Sequence, residues 1–428
     1  MNRSILILTA TIAIFGGGTA RGQVFTSITD EAQVSAYTLP DPLVMSDSSP
    51  VTDVVAWRTK RRPEILALFE KYVYGKMPGP LASVHFKLIS TDKNAYGGSA
   101  TRKEVRVFFT AADTRPYMDV LIYIPNGVRK PVPAFMGLSF YGNHTVTDDP
   151  AVILSDQWMR TNSAMKVVAH RATEASRGLS KSRWPIATIL ARGYALVTIY
   201  CGDIDPDWDD GFQNGIHPLF YRRDQMTPEN DEWGTIGAWA WGLSRALDYL
   251  GTDDDIDAKR VAVMGHSRLG KTSLWAGATD ERFAMVISND SGCGGAALSR
   301  RRFGETVAMI NTNLPHWFCD NFNMYNNIED KLPVDQHMLI ALMAPRPVYV
   351  ASAAADLHAD PRGEYLSAYL ASPVYALFGL SGLPSDTMPP VDHPVAGTIG
   401  YHVRTGGHNV TDFDWAQYLD FADRHLGQ

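Results

Sequence analysis

The stretch Gly265-His266-Ser267-Arg268-Leu269-Gly270-Lys271 holds the residues best suited to chemistry. It follows the apolar run Val261-Ala262-Val263-Met264 and precedes an alanine-rich segment with helical spacing. A strand, a tight turn with serine at its tip and then a helix is how hydrolases expose a nucleophile. The common form is G-x-S-x-G, whereas here the second glycine comes one residue late, at Gly270. A serine hydroxyl attacks only if a base removes its proton, and histidine does this near neutral pH while a carboxylate fixes its tautomer. Those partners must come from elsewhere in the chain.

The elements that would position them are legible as hydrophobic patterns. Residues 24–55 are rich in Pro, Ser, Thr and Asp without a sustained period and read as an extended arm. Pro63 to Tyr72 has helical spacing with proline in the first turn. Val105 to Phe109, Met118 to Ile124 and Ala134 to Phe140 read as short strands. Tyr194 to Tyr200 is a continuous apolar run of the kind found in a buried parallel strand. A helix from Thr235 to Leu250, closed by Gly251, leads to the strand before Ser267. Further strands are expected at Phe283 to Ser288, Pro347 to Ala351 and Ile399 to Val403, and a last helix from about Asp412 to His425. This alternation predicts a three-layer α/β/α sandwich around a mostly parallel sheet. We expect one catalytic domain over residues 23–428, with residues 23–100 as an N-terminal extension packed on it.

Ligands of such sheets bind beyond the carboxyl ends of the strands. Ser267, Asp290, Asp356 and His408 each follow a strand, and the order serine, acid, histidine is that of the α/β-hydrolase fold. His408 lies in Gly406-Gly407-His408-Asn409, a loop that lets the imidazole reach back over the site, while His402, inside a strand, reads as a packed histidine. His266 is expected to point away. The acid stays open between Asp356 and Asp290. Arg268, the first helical residue, offers a backbone N–H and a guanidinium to a developing oxyanion, and Lys271, one turn on, offers a donor to a polar substrate. The loop Tyr141-Gly142-Asn143-His144-Thr145 lies where a second oxyanion donor often sits. Trp317 and Glu305 fall in a long insertion; an exposed tryptophan there would stack on sugars, and a core tryptophan is the alternative.

Composition narrows the function classes. The net charge is −7 with no concentrated basic run, which argues against nucleic acid as a partner. Cys201, Cys293 and Cys319 are too few and too scattered for a disulfide framework and form no C-x-x-C pair, so no metal site or cofactor is indicated. Met1-Asn2-Arg3, an apolar run from Ile5 to Phe15 and small residues up to Gly22 have the parts of a signal peptide, predicting export, removal of residues 1–22 and no membrane association afterwards.

The elbow, the segment Asp290-Ser291-Gly292-Cys293-Gly294-Gly295-Ala296-Ala297, Gly407-His408, Arg62-Pro63-Glu64-Ile65-Leu66 and the Gly142-Asn143-His144-Thr145 loop together resemble the bacterial branch of the glucuronoyl esterases, carbohydrate esterase family 15. The resemblance implies metal-free serine hydrolysis of the ester between a 4-O-methyl-glucuronic acid branch of xylan and a lignin alcohol; a monomer is expected. It implies Ser267 as nucleophile, His408 as base, Arg268 as oxyanion stabiliser, and Lys271 and Glu305 as contacts to the uronate. Fungal members carry Glu in the segment matching Asp290, and other bacterial members place an acid on the loop of Asp356. His358 occupies a substrate-contacting loop where relatives often have tryptophan.

Overall fold

The computed structural model describes residues 27–427, so the expected signal peptide lies outside the described residues. A ten-stranded sheet runs in the order β1-β2-β3-β5-β4-β6-β7-β8-β10-β9. The strands are β1 (His85–Ala95), β2 (Ala100–Phe108), β3 (Tyr117–Pro125), β4 (Val132–Ser139), β5 (Ala195–Tyr200), β6 (Ile256–His266), β7 (Met285–Asn289), β8 (Val348–Ala353), β9 (Val395–Ala396) and β10 (Ile399–Arg404). From β5 to β10 the neighbours are parallel; β1, β2 and β3 extend the β5 edge antiparallel, and β9 closes the other edge. This is the α/β-hydrolase fold. The chain leaves β4 for β5 on one side and returns to β6 on the other, so the direction of winding reverses beside Ser267, at the kind of switch point where such sheets bind ligands.

The parallel strands are apolar throughout because both faces are covered. Ala134, Met136 and Leu138 of β4 join the core on one face and Phe135 joins the core on the other, as the two-residue repeat of a strand requires. Helices Thr235–Leu250 and Asp412–His425 occupy the expected ranges. The helical segment expected over Pro63 to Tyr72 extends through residues 54–74. Its last residue, Tyr74, stacks on Trp275 of the helix behind Ser267 with ring centroids 4.4 Å apart. The arm before it crosses the surface, where Ile28 bridges Phe303, Pro40 O meets His337 Nε2 at 2.8 Å, and Glu31 pairs with Arg301 at 2.5 Å. No helix among the described residues is long and apolar enough to cross a membrane.

One residue ties the loops at the carboxyl end of the sheet. Glu364, on the helix Pro361–Leu370, accepts the Ser291 and Gly292 N–H groups at 2.7 and 3.0 Å and the Ser352 hydroxyl at 2.6 Å, joining the loop after β7 to β8. Burial pushes its carboxyl up to about 8. Since that lies above the ordinary value of 4.5, the folded chain keeps a proton that the unfolded chain has released, and this contribution to stability is lost as pH rises through the interval. Unfolding free energy measured by denaturant titration from pH 4.5 to 8 is expected to fall more steeply in the wild type than in Glu364→Gln, by about one proton's worth of slope. Equal slopes would show that Glu364 is ionised throughout.

Candidate active site

Ser267 caps the helix Arg268–Thr279 with φ 59° and ψ −131°, a conformation that costs a non-glycine residue on the order of 1–3 kcal/mol. The surroundings leave it little alternative. Its N–H donates to Asn289 O at 2.9 Å, and Ser267 O accepts the Gly270 N–H at 2.8 Å. A Cβ on Gly265 would lie 1.9 Å from Leu269 O, and one on Gly270 would lie 3.0 Å from the Ser291 side chain and 3.1 Å from Gly265 O. The late glycine is thus the point where the new helix crosses β6 and the loop after β7.

Behind the serine, His408 Nδ1 meets Asp356 Oδ2 at 2.6 Å, with Asp356 buried and the imidazole partly exposed. Asp290, the other candidate acid, lies close by, since single donor atoms of Asp290, Asp356 and His408 fall within 4.8 Å of one another. Asp290 makes only long contacts, to Arg404 Nη2 and the Asn409 N–H, both at 3.4 Å, and its Oδ1 is buried without a partner. Burial and the nearby Glu364 and Asp356 carboxyls push Asp290 well above the usual carboxylate range.

The histidine loop has its own anchor, which the sequence did not disclose. Arg404, at the end of β10, donates to Gly407 O at 3.0 Å and to Asn409 O, and its Nε pairs with buried Asp414 at 2.8 Å. His402 donates or accepts at Asp414 and Tyr349, at 2.9 and 3.1 Å, and is fully buried as expected for a packed histidine.

Arg268 is held by Asp207, another residue the sequence reading missed. Its Nε lies 3.0 Å from Asp207 Oδ2, and its guanidinium sits 4.5 Å over the Phe140 ring. Burial would raise Asp207, but Arg268 and His316 outweigh it and hold the carboxyl below the usual range. Trp317 is buried, not the exposed stacking platform considered from sequence, and donates its indole N–H to Asp207 at 2.8 Å. Lys271 is also buried rather than solvated: its ammonium donates to Ser291 O and Cys293 O at 2.6 and 2.7 Å and lies 3.5 Å from Glu305. Glu305 continues to His358 at 3.4 Å. Burial opposes its ionisation, yet Lys271 and His358 keep it below the ordinary glutamate range, and Glu305 in turn raises the His358 imidazole.

Ser267, Arg268 and His408 face one cavity of about 460 Å³, closed further by Phe140, Tyr141, Asn162 and Arg183. Two expectations need correction. His266 does not point away; its ring lies 4.4 Å from that of His408 and forms part of the wall, with Nδ1 bonded to Asn289 Oδ1 at 2.6 Å. The loop after β4 contributes Phe140 and Tyr141 to the cavity, whereas Asn143, His144 and Thr145 turn inward; Asn143 donates to Asp119 O at 2.8 Å, and His144 meets the Ser176 hydroxyl at 2.9 Å. All three cysteines are free and buried.

Residues 188–379 match the family model described as glucuronyl esterase, fungi. Over 400 residues the chain is 54% identical to a carbohydrate esterase from an unknown prokaryotic organism, covering 93% of this chain and 91% of that one. A solved structure of a promiscuous CE15 esterase from a marine bacterial metagenome shares 54% identity at a TM-score of 0.88, with 94% of this chain and 100% of that one covered. The glucuronoyl esterase from Solibacter usitatus shares 50% identity at a TM-score of 0.88, with 92% and 99% covered. The 4-O-methyl-glucuronoyl methylesterase 1 of Phanerochaete chrysosporium is 30% identical over 72% of this chain and 55% of its own. On likeness of this extent, the chain belongs to carbohydrate esterase family 15, the glucuronoyl esterases.

Proposed function

We propose that this chain is an exported serine esterase, acting as a monomer, that hydrolyses the ester between 4-O-methyl-glucuronic acid of glucuronoxylan and a lignin alcohol. The observation that carries the reading is the 2.6 Å contact of His408 with Asp356 on the wall of the cavity that Ser267 also faces. Ser267 Oγ attacks the C6 carbonyl while His408 Nε2 takes its proton. Asp356 keeps the Nδ1 proton in place and stabilises the imidazolium. The tetrahedral oxyanion lies at the start of the helix Arg268–Thr279, whose first N–H groups have no partner within the helix. The Arg268 guanidinium adds a charge held in place by Asp207 and Phe140. Collapse expels the alcohol, which takes its proton from His408. Water, activated by the same imidazole, then attacks the glucuronoyl ester of Ser267 and releases the acid.

The surroundings favour a sugar acid over an acetyl group. A cavity of about 460 Å³ is of the size that encloses a ring-sized ligand rather than two carbons, and Arg183 and Arg268 both border it. Lys271, Glu305 and His358 form a charged chain beside Trp317, and we assign them the uronate hydroxyls on the strength of the family resemblance. Trp317 supports Arg268 and Lys271, with its ring 5.8 Å from each cation.

Benzyl glucuronate is expected to be cleaved and acetylated xylan not, with Ser267→Ala abolishing turnover; the opposite preference would make the enzyme an acetyl esterase. Among the acids, Asp356→Asn is expected to lower kcat by up to about 10⁴-fold, the loss seen when the orienting acid of a serine triad is replaced. Asp290→Asn alters a carboxyl whose contacts are long, at 3.4 Å, and should cost far less. Equal losses in steady-state kinetics would contradict the assignment of Asp356.

A further inference from the structure

A second cavity, of about 440 Å³, opens at the same end of the sheet as Ser267. Gly202 and Asp203, which directly follow β5, form its floor, and Arg115 and Pro116, which directly precede the antiparallel β3, form one side. β5 and β6 are separated only by β4, so at about 4.8 Å per strand the two cavities start about 10 Å apart. The segment 155–171 walls both. Gln157 and Trp158 face the second cavity, while Asn162 and Met165 face the first.

The lining has a particular chemistry. Trp208 is 41% exposed, and its ring stacks on Trp158 with centroids 5.5 Å apart and planes 26° from parallel. His170 stacks on Trp158 as well, at 5.2 Å and 14°, and the Tyr200 hydroxyl holds the Trp158 carbonyl at 2.8 Å. The indole is therefore fixed before any ligand arrives. Around it stand the side-chain amides of Gln213 and Asn214 and the carboxyl of Asp203, which is only 7% exposed. One Asp203 oxygen accepts the Asp119 N–H at 3.1 Å. Burial and the neighbouring Asp119 carboxylate raise Asp203 well above the usual carboxylate range. A flat apolar face bordered by the amides of Gln213 and Asn214 suits a ligand with C–H faces and equatorial hydroxyls.

We propose that this cavity is an accessory subsite that binds uncharged pyranose rings of the polysaccharide attached to the glucuronate, with Trp208 as its stacking platform. The inference rests on the function proposed above only for the identity of the polymer. A chain whose uronate branch sits at Ser267 would have its backbone within reach of Trp208, and the enzyme would hold polymer more tightly than small esters.

The test uses the full-length protein and two readouts. Xylohexaose binding, followed by tryptophan fluorescence and calorimetry, is expected to saturate in the wild type and to weaken roughly tenfold or more in Trp208→Ala, as loss of an aromatic anchor does. Trp208→Phe should restore most of it. Gln213→Ala, on an exposed residue of the same wall, should weaken binding severalfold and serves as the second variant if Trp208→Ala melts at a lower temperature. In kinetics, Trp208→Ala should raise KM for a glucuronoxylan-linked ester roughly tenfold, leave kcat unchanged, and leave both parameters unchanged for benzyl glucuronate. Absence of xylohexaose binding in the wild type overturns the proposal. Equal effects on polymer and benzyl ester, or a loss confined to phenylpropyl esters, would also overturn it and would assign the cavity to the alcohol side. If no glucuronate ester is cleaved at all, the proposed function fails while xylohexaose binding still decides the subsite.

Discussion

The backbone of Ser267, held at φ 59° where side chains seldom go, is the constraint on which the rest of the site depends. It turns the chain from β6 into a helix within one residue, which leaves the hydroxyl at the rim of the sheet and the helix N-terminus beneath it. That turn is possible only because two neighbours lack side chains. Gly265 lets Leu269 O come to where its Cβ would be, and Gly270 lets the helix settle against Ser291 and Asn289. The late glycine is therefore a statement about the loop after β7, which comes closer to Ser267 than a bulkier residue would permit. Asn289 at its start receives the Ser267 N–H, and Asp290 and Ser291 follow directly. Strain at the serine is balanced by bonds that the neighbouring strand supplies.

Around this turn, charges are buried in pairs rather than singly. Arg268 with Asp207, Lys271 with Glu305, and Arg404 with Asp414 each fix one side chain that borders or supports the cavity. Buried pairs of this kind contribute little net stability, but removing one partner leaves an uncompensated charge at about 3–5 kcal/mol. Their value is positional. Arg404 illustrates it, since the guanidinium binds carbonyls on both sides of His408 and thereby sets the height of the imidazole above Asp356. Asp290 is held more loosely, with Arg404 Nη2 at 3.4 Å from one oxygen and the other oxygen unpartnered.

Much of the scaffold was legible because it obeys local rules. The apolar run ending at Tyr200, the helix closed by Gly251 and the last helix from Asp412 to His425 were all found in place, since periodicity and caps are properties of neighbouring residues. The edge strand β1 was missed. Its sequence, His85-Phe86-Lys87-Leu88-Ile89-Ser90-Thr91-Asp92, is half exposed and mixes polar with apolar residues because one side faces water. In the site, Ser267 and His408 were readable from turn chemistry. The choice between Asp356 and Asp290 was not, because both follow strands and only their distance from His408 separates them. Asp207 and Glu364 were beyond reach for the same reason: their partners Arg268 and Ser291 lie more than sixty residues away in the chain, and an aspartate in Asp205-Pro206-Asp207-Trp208-Asp209 looks like any loop carboxylate. Trp317 was ambiguous from the start, since tryptophan serves cores and ligand surfaces alike.

The central claim is that Ser267 itself carries the acyl group and that His408 and Asp356 serve it. The most direct measurement is peptide-level mass spectrometry of enzyme quenched during turnover of benzyl glucuronate. A glucuronoyl adduct is expected on the peptide containing Ser267, formed in the wild type and absent from Ser267→Ala. Steady turnover by Ser267→Ala, or an adduct on any other residue, would contradict it.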